Sequence, residues 1–231
     1  MKHLRFYGDA PTNLEKVGEI RGKLIVIEGT DGVGRSTQIA ALRRWLESRG
    51  SAVIETGFTR SVLAGKGIKQ AKQGHTLGSI TLFLYYATDF ADIVEGQIIP
   101  GLRSGYVILA DRYIYSAIAR AVVRGADERW IRDVYGFAPI PDKVLYLKLN
   151  VNELIERTIN SSKGFNYWES GMDLRLGNDM FDSFKEYQSR LLRQFDSMTQ
   201  EYGFQVVDAN RSADEIADDL RLAIDGVLAA A

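Results

Sequence analysis

Five short runs along the chain are apolar with little alternation: residues 23–28, 51–55, 106–110, 143–149 and the stretch within 203–211. Runs of this length predict strands buried on both faces. Between them, apolar positions recur at helical spacing. The pattern predicts helices over residues 38–46, a segment through about Lys72, 76–99 ending before Pro100, 114–123, 128–135, 179–202 and 212–228. Gly50 is placed to end the first of these, and Asn152 to cap a further helix carrying Glu153, Glu156 and Arg157. Lysines on the helix that ends near Lys72 read as a solvated face. Strands alternating with helices predict an α/β fold with a five-stranded, mostly parallel sheet, helices on both faces and right-handed crossovers.

The turn after the first strand is Gly29-Thr30-Asp31-Gly32-Val33-Gly34-Arg35-Ser36-Thr37, and it opens a helix. Its spacing is that of the phosphate-binding loop G-x-x-x-x-G-K-[ST], with Arg35 at the lysine. Glycines let the backbone wrap a polyphosphate, N–H groups point at its oxygens, and the helix N-terminus adds a favourable dipole. The hydroxyl of Ser36 or Thr37 is placed to meet a Mg²⁺ carried by the phosphates. Arginine keeps the lysine's charge but spreads it over a planar fork that clamps oxygens in pairs.

Two other segments fall at predicted strand ends. Asp111-Arg112-Tyr113 follows the third strand, where an acid suits a magnesium-linked carboxylate and the arginine a second phosphate; a structural ion pair is an equal reading of the dipeptide alone. Thr56-Gly57-Phe58-Thr59-Arg60-Ser61 follows the second strand, at the edge where open parallel sheets bind ligands. Residues 161–171 break the helical period with small residues at both ends, which suits either a hinged lid or a surface loop with an aromatic anchor. The aromatics from Tyr86 to Phe90 are placed to face the cleft, the rest of their helix to fill the core.

At 231 residues the chain has ample length for one large domain, and a net charge of -1 excludes a global basic field for nucleic acid. There are no cysteines, hence no disulfides or cysteine metal sites. The first residues lack a signal-peptide core and no apolar stretch would span a bilayer, so a cytoplasmic location is expected. Residues 1–21 precede the first core strand as an N-terminal extension, either an edge element or an arm.

Taken in order, Glu28 to Gln38, Asp111-Arg112-Tyr113 with Ser116 and Ala119, Pro141-Asp142 before Leu145-Tyr146-Leu147, and Val207 to Arg211 resemble the thymidylate kinase family of P-loop nucleoside monophosphate kinases. The resemblance runs from Gly22 to near the end. It implies a three-layer P-loop NTPase fold over residues 22–231 with a short lid at about 158–172. It also implies transfer of the ATP γ-phosphoryl group to dTMP, giving dTDP, with Mg²⁺, by a homodimer.

The roles it implies are these. Gly29, Thr30, Asp31, Gly32, Val33, Gly34, Arg35, Ser36 and Thr37 bind the ATP phosphates, and Asn210 and Arg211 border the adenine. Asp31 sits near the acceptor sugar. Arg112 holds the acceptor phosphate, Asp111 and Ser36 serve the metal, and Tyr86 stacks on the thymine. Tyr113, Ser116 and Arg120 complete the acceptor site, and Arg157 and Lys163 supply lid cations. The chain departs from the family at Arg35 and at Thr56 to Arg60, where Thr-Arg-Glu-Pro-Gly is usual and Arg60 is the replacement arginine. Phe90 stands in place of a base-reading arginine, and Arg120-Ala121 in place of Tyr-Gln. Two other functions fit these departures: a phosphotransferase with another acceptor, or a nucleotide-binding module with weak catalysis.

Overall fold

The computed structural model describes residues 3–9, 18–74, 77–161 and 164–229. Its sheet is five-stranded and wholly parallel, in the order β2-β3-β1-β4-β5. The strands are β1 (Lys23–Glu28), β2 (Val53–Gly57), β3 (Val107–Asp111), β4 (Lys143–Lys148) and β5 (Gln205–Asp208). Side chains alternate across a strand, so an unbroken apolar run feeds two cores. Leu24 and Val26 of β1 face one layer with α3 (Ser79–Ile93), α5 (Ile114–Val123) and α8 (Met180–Tyr202). Ile25 and Ile27 face the other, with α1 (Arg35–Ser48) and α9 (Ala213–Ala229). Burial of this kind, at about 25 cal/mol per Å² of apolar surface, is what holds the layers together.

Differences from the predicted pattern fall at the second strand, the long helix and one cap. The second strand starts two residues later than its apolar run, because Ser51 N–H still bonds Leu46 O and Gly50, at φ 83, completes the turn out of α1. The long helix does not stop before Pro100. It starts at Ser79, widens into a π-helical turn over Val94–Ile98, and continues as α4 (Ile99–Arg103) with Pro100 in its first turn. A proline lacks an N–H and crowds the carbonyl four residues back; a wide turn at Gly96 relieves both. Residues 75 and 76 lie outside the described residues. The helix α7 (Val151–Ile159) is capped by Asn150, not Asn152: Asn150 accepts from Asn152 and Glu153 N–H while Glu153 accepts from Asn150 N–H.

Of the N-terminal extension, residues 3–9 lie against the turn between α6 (Glu128–Val134) and β4. Phe6 bridges Pro139, Tyr7 N–H donates to Ala138 O, and the Tyr7 and Tyr115 hydroxyls are hydrogen-bonded.

Candidate active site

Strand register assembles the site. Ile27 pairs with Asp111, and Asp111 with Gly57 on its other side, so the ends of β1, β3 and β2 stand abreast. The turn that leaves β1 is tight at Gly29, with φ 149; a Cβ there would stand 2.7 Å from Leu147 O. Gly34, also at positive φ, delivers Arg35 into the first position of α1 with Ser36 and Thr37 exposed beside it.

Arg35 folds back over this loop. Its Nε donates to Asp111 Oδ1 at 2.9 Å, and its Nη1 to Gly29 O at 2.6 Å and to Thr30 O. Asp111 Oδ2 lies 3.6 Å from Arg60 Nη2. Arg112 takes a left-handed backbone at φ 71, rare for a non-glycine. Its guanidinium donates to Gly29 O at 2.9 Å, to Ser116 Oγ at 3.2 Å and to Asp31 Oδ1. Arg120 reaches the other oxygen of Asp31 at 2.6 Å. Burial opposes the charge on Asp31, but Arg112, Arg120 and Arg35 outweigh it and hold the carboxyl below its usual range. Burial brings Arg112 down to about 10, so it stays charged at neutral pH.

A residue absent from the sequence-based list ties these parts together. Glu28 is fully buried and accepts from Gly29 N–H, Tyr113 N–H, Ser116 N–H and Ser116 Oγ, the last at 2.7 Å. One carboxyl thus fixes the base of the phosphate loop, the strained turn at Arg112 and the start of α5. Burial raises its pKa, against the pull of Arg112 and these donors.

Beyond Asp31 a cavity opens, lined by Phe58, Tyr86, Tyr135, Leu82 and Phe83 on its apolar side. Lys72, Arg112, Ser116, Arg120, Arg124, Trp168 and Glu169 supply polar or amphipathic wall. Its free space, counting the open mouth, is about 800 Å³. Phe58 meets the Tyr86 ring edge-on at 6.0 Å.

Three residues assigned to this pocket, Phe90, Tyr113 and Arg60, do not line it. Phe90 is 3% exposed and lies behind the wall, its ring 4.9 Å from Tyr113 and 5.4 Å from Phe58. Tyr113 is wholly buried and its hydroxyl donates to Pro139 O. Phe90 and Tyr113 are core because the ring on α3 and the ring at the start of α5 pack edge-to-face. Arg60 stands at Asp111 rather than on the cavity wall.

On the other side of the phosphate loop, Arg157 donates from α7 to Val33 O at 3.3 Å and to Ala209 O at 2.6 Å. It joins the loop to the turn that carries Asn210 and Arg211. Arg211 pairs with Asp219, and Asn210 N–H donates to Asp208. Lys163 lies outside the described residues. The segment from Gly164 onward sends Trp168 over the cavity, where its Nε1 donates to Lys72 O at 3.1 Å.

The sequence model of the family described as thymidylate kinase matches residues 27–220, most of the chain. The chain belongs to the thymidylate kinase family. Among curated relatives it is similar to a probable thymidylate kinase 2 of Saccharolobus solfataricus, 36% identical over 203 residues covering 87% of this chain and 95% of the relative. A probable thymidylate kinase of Pyrococcus abyssi is 29% identical over 208 residues, covering 87% and 95%. A thymidylate kinase of Leifsonia xyli is 32% identical over 214 residues, covering 89% and 95%. The match includes the phosphate loop, the Asp111-Arg112 turn and the cavity, and leaves the N-terminal extension outside it.

For Mg²⁺, the donor set fits the ion's habits. It keeps several waters and takes one or two protein oxygens plus phosphates, and the site offers an exposed Ser36 hydroxyl and the Asp111 carboxylate. Among the described residues no group of three acidic or histidine side chains could form a full cage. Thr30 Oγ1, inside the loop, is buried without a hydrogen-bond partner.

Proposed function

We propose that the chain transfers the γ-phosphoryl group of ATP to the phosphate of dTMP, releasing ADP and dTDP, with Mg²⁺ as cofactor. One observation carries this reading. Arg112 spans the boundary between the two half-sites, bonded to Gly29 O in the phosphate loop and to Asp31 and Ser116 on the cavity wall.

A guanidinium in that position neutralises two polyanions at once. An oxygen of the acceptor phosphate attacks the γ-phosphorus, and the bond to the bridging oxygen of ADP breaks. A phosphate monoester has its second pKa near 6, so the attacking oxygen is already ionised at pH 7 and needs no general base. Positioning and charge do the work. That matches a site made of arginines at the loop and a lysine in the cavity.

In this reading the loop N–H groups hold the donor. Arg35 Nη2 takes no part in the bonds to Asp111, Gly29 and Thr30, and is the donor left for a phosphate. Mg²⁺, when bound, offsets charge on the β- and γ-phosphates; Ser36 and Asp111 would hold it. Asp31 orients Arg112 and Arg120 beside the acceptor sugar. Tyr86 and Phe58 flank the base, while Asn210 and Arg211 border the adenine. The segment bearing Trp168 and Glu169 serves as the lid that keeps water from the γ-phosphorus.

The same reading carries a cytoplasmic location and a homodimer. In support of the dimer, α3 exposes Ile80 (65%) and Leu84 (43%) one turn apart on a single face. No described helix is long and apolar enough to cross a membrane.

Steady-state ADP release with Mg-ATP and a panel of nucleoside monophosphates tests the acceptor. Stimulation strongest with dTMP is expected. Stimulation strongest with another monophosphate, or a rate equal to the no-acceptor control throughout, would overturn the reading.

A further inference from the structure

The helix α2 (Gly65–Gly74) carries three lysines, and they do not share one fate. Lys66 and Lys69 are exposed, as a solvated face requires. Lys72 is half-buried and lines the cavity. Its ammonium lies 5.5 Å from the centre of the Trp168 ring, on the inner side of the lid segment.

The charges around it are already spoken for. Arg112 and Arg120 divide the two oxygens of Asp31 between them. Arg124 is paired with Asp173 and bonded to the Tyr187 hydroxyl. Glu169 is the other acid of the wall, and burial favours its neutral form. Lys72 alone among these cavity cations has no carboxylate within 4.0 Å among the described residues. Burying an ammonium without a counter-charge is costly, so the cavity is built one anion short.

We propose that Lys72 binds a phosphate oxygen of the acceptor nucleotide. The proposal rests on the cavity being the acceptor site, and supplies from α2 a cation on which the motif reading did not draw. A nucleoside monophosphate brings the dianion that the Asp31–Arg112–Arg120 group only partly balances. Burial, reinforced by Arg120 and Arg124 and opposed by Asp31 and Glu169, lowers Lys72 to about 8. Its charge is therefore lost just above neutral pH in the empty cavity and regained on binding the anion.

The test is equilibrium binding of dTMP and of thymidine, which lacks the phosphate, to wild type and to Lys72→Met. Methionine keeps the stem against Trp168, and the Trp168 N–H bonds the backbone oxygen of residue 72, which survives the change. Expected are dTMP binding weakened about tenfold to a hundredfold, thymidine binding within twofold of wild type, and partial rescue by Lys72→Arg. Wild-type affinity for dTMP should fall as pH rises through about 8, and Lys72→Met should lack that fall. Unchanged dTMP binding in Lys72→Met, or equal losses for dTMP and thymidine, would overturn the role of Lys72 alone. A wild-type protein that bound no dTMP would overturn the acceptor reading and this proposal with it.

Discussion

Arg35 is where a single residue decides most. Its three observed bonds, to Asp111, Gly29 and Thr30, place the charge at the loop where a lysine is the common choice. Arg35→Ala is expected to lower kcat by at least about 10²-fold, the usual scale for losing one donor to a developing charge; steady-state turnover checks it, and a near-unchanged rate would remove Arg35 from the reaction. Asp31 carries a pH signature. Its carboxyl is depressed below its ordinary value, so its contribution to stability is present above about pH 4 and is lost as pH falls toward the folded value. Asp31→Asn is expected to cost about 3 kcal/mol at pH 7, because two buried guanidiniums lose their partner. Urea unfolding at pH 7 and pH 3.5 should show that gap narrowing at the lower pH; a pH-independent gap would contradict it. The residues that composed the loop were legible because their spacing is local. Lys72 was not: three lysines at helical spacing read alike, and only packing of the segment bearing Trp168 across α2 buries one of them.

At the scale of elements, the loop after β2 shows how a rebuilt segment is held. Thr59 adopts φ 62, and Asp89 on α3 accepts from Thr59 N–H at 2.6 Å and Ser61 N–H at 3.2 Å. Asp92 accepts from the Ser61 hydroxyl at 2.6 Å. This clamp aims Phe58 into the cavity and Arg60 toward Asp111. Asp89→Ala is expected to cost about 2 kcal/mol by stranding buried N–H groups, and to raise the acceptor KM with that for ATP unchanged. Equal acceptor KM values in the two proteins would mean that the loop position does not matter to the acceptor. The strands and most helices were legible from periodicity. The wall aromatics were not, because both Phe58 and Phe90 are single rings near the cleft, and only the packing of β2 and α3 puts one on the surface and the other behind it. The proline likewise read as a stop, whereas the π-helical turn at Gly96 carries the helix past it.

For the whole molecule, the layer order follows from unbroken apolar strands that need cover on both faces. The active edge follows from where those strands end. The resemblance of the phosphate loop and the Asp-Arg turn to one kinase family was readable from ordered motifs, and the family match over residues 27–220 agrees with it. What no linear reading supplied was Glu28 as the common acceptor that joins loop, turn and α5, since a buried glutamate beside a glycine has no signature of its own. In the proposed reaction a phosphoryl group crosses from the loop to the cavity past Arg112. The direct measurement is to incubate the protein with Mg²⁺, dTMP and ATP labelled at the γ-phosphorus, then separate the nucleotides. Label should appear in dTDP, grow with time and be abolished in Arg112→Ala; label found only in inorganic phosphate, or undiminished dTDP in that variant, would rule out transfer past Arg112.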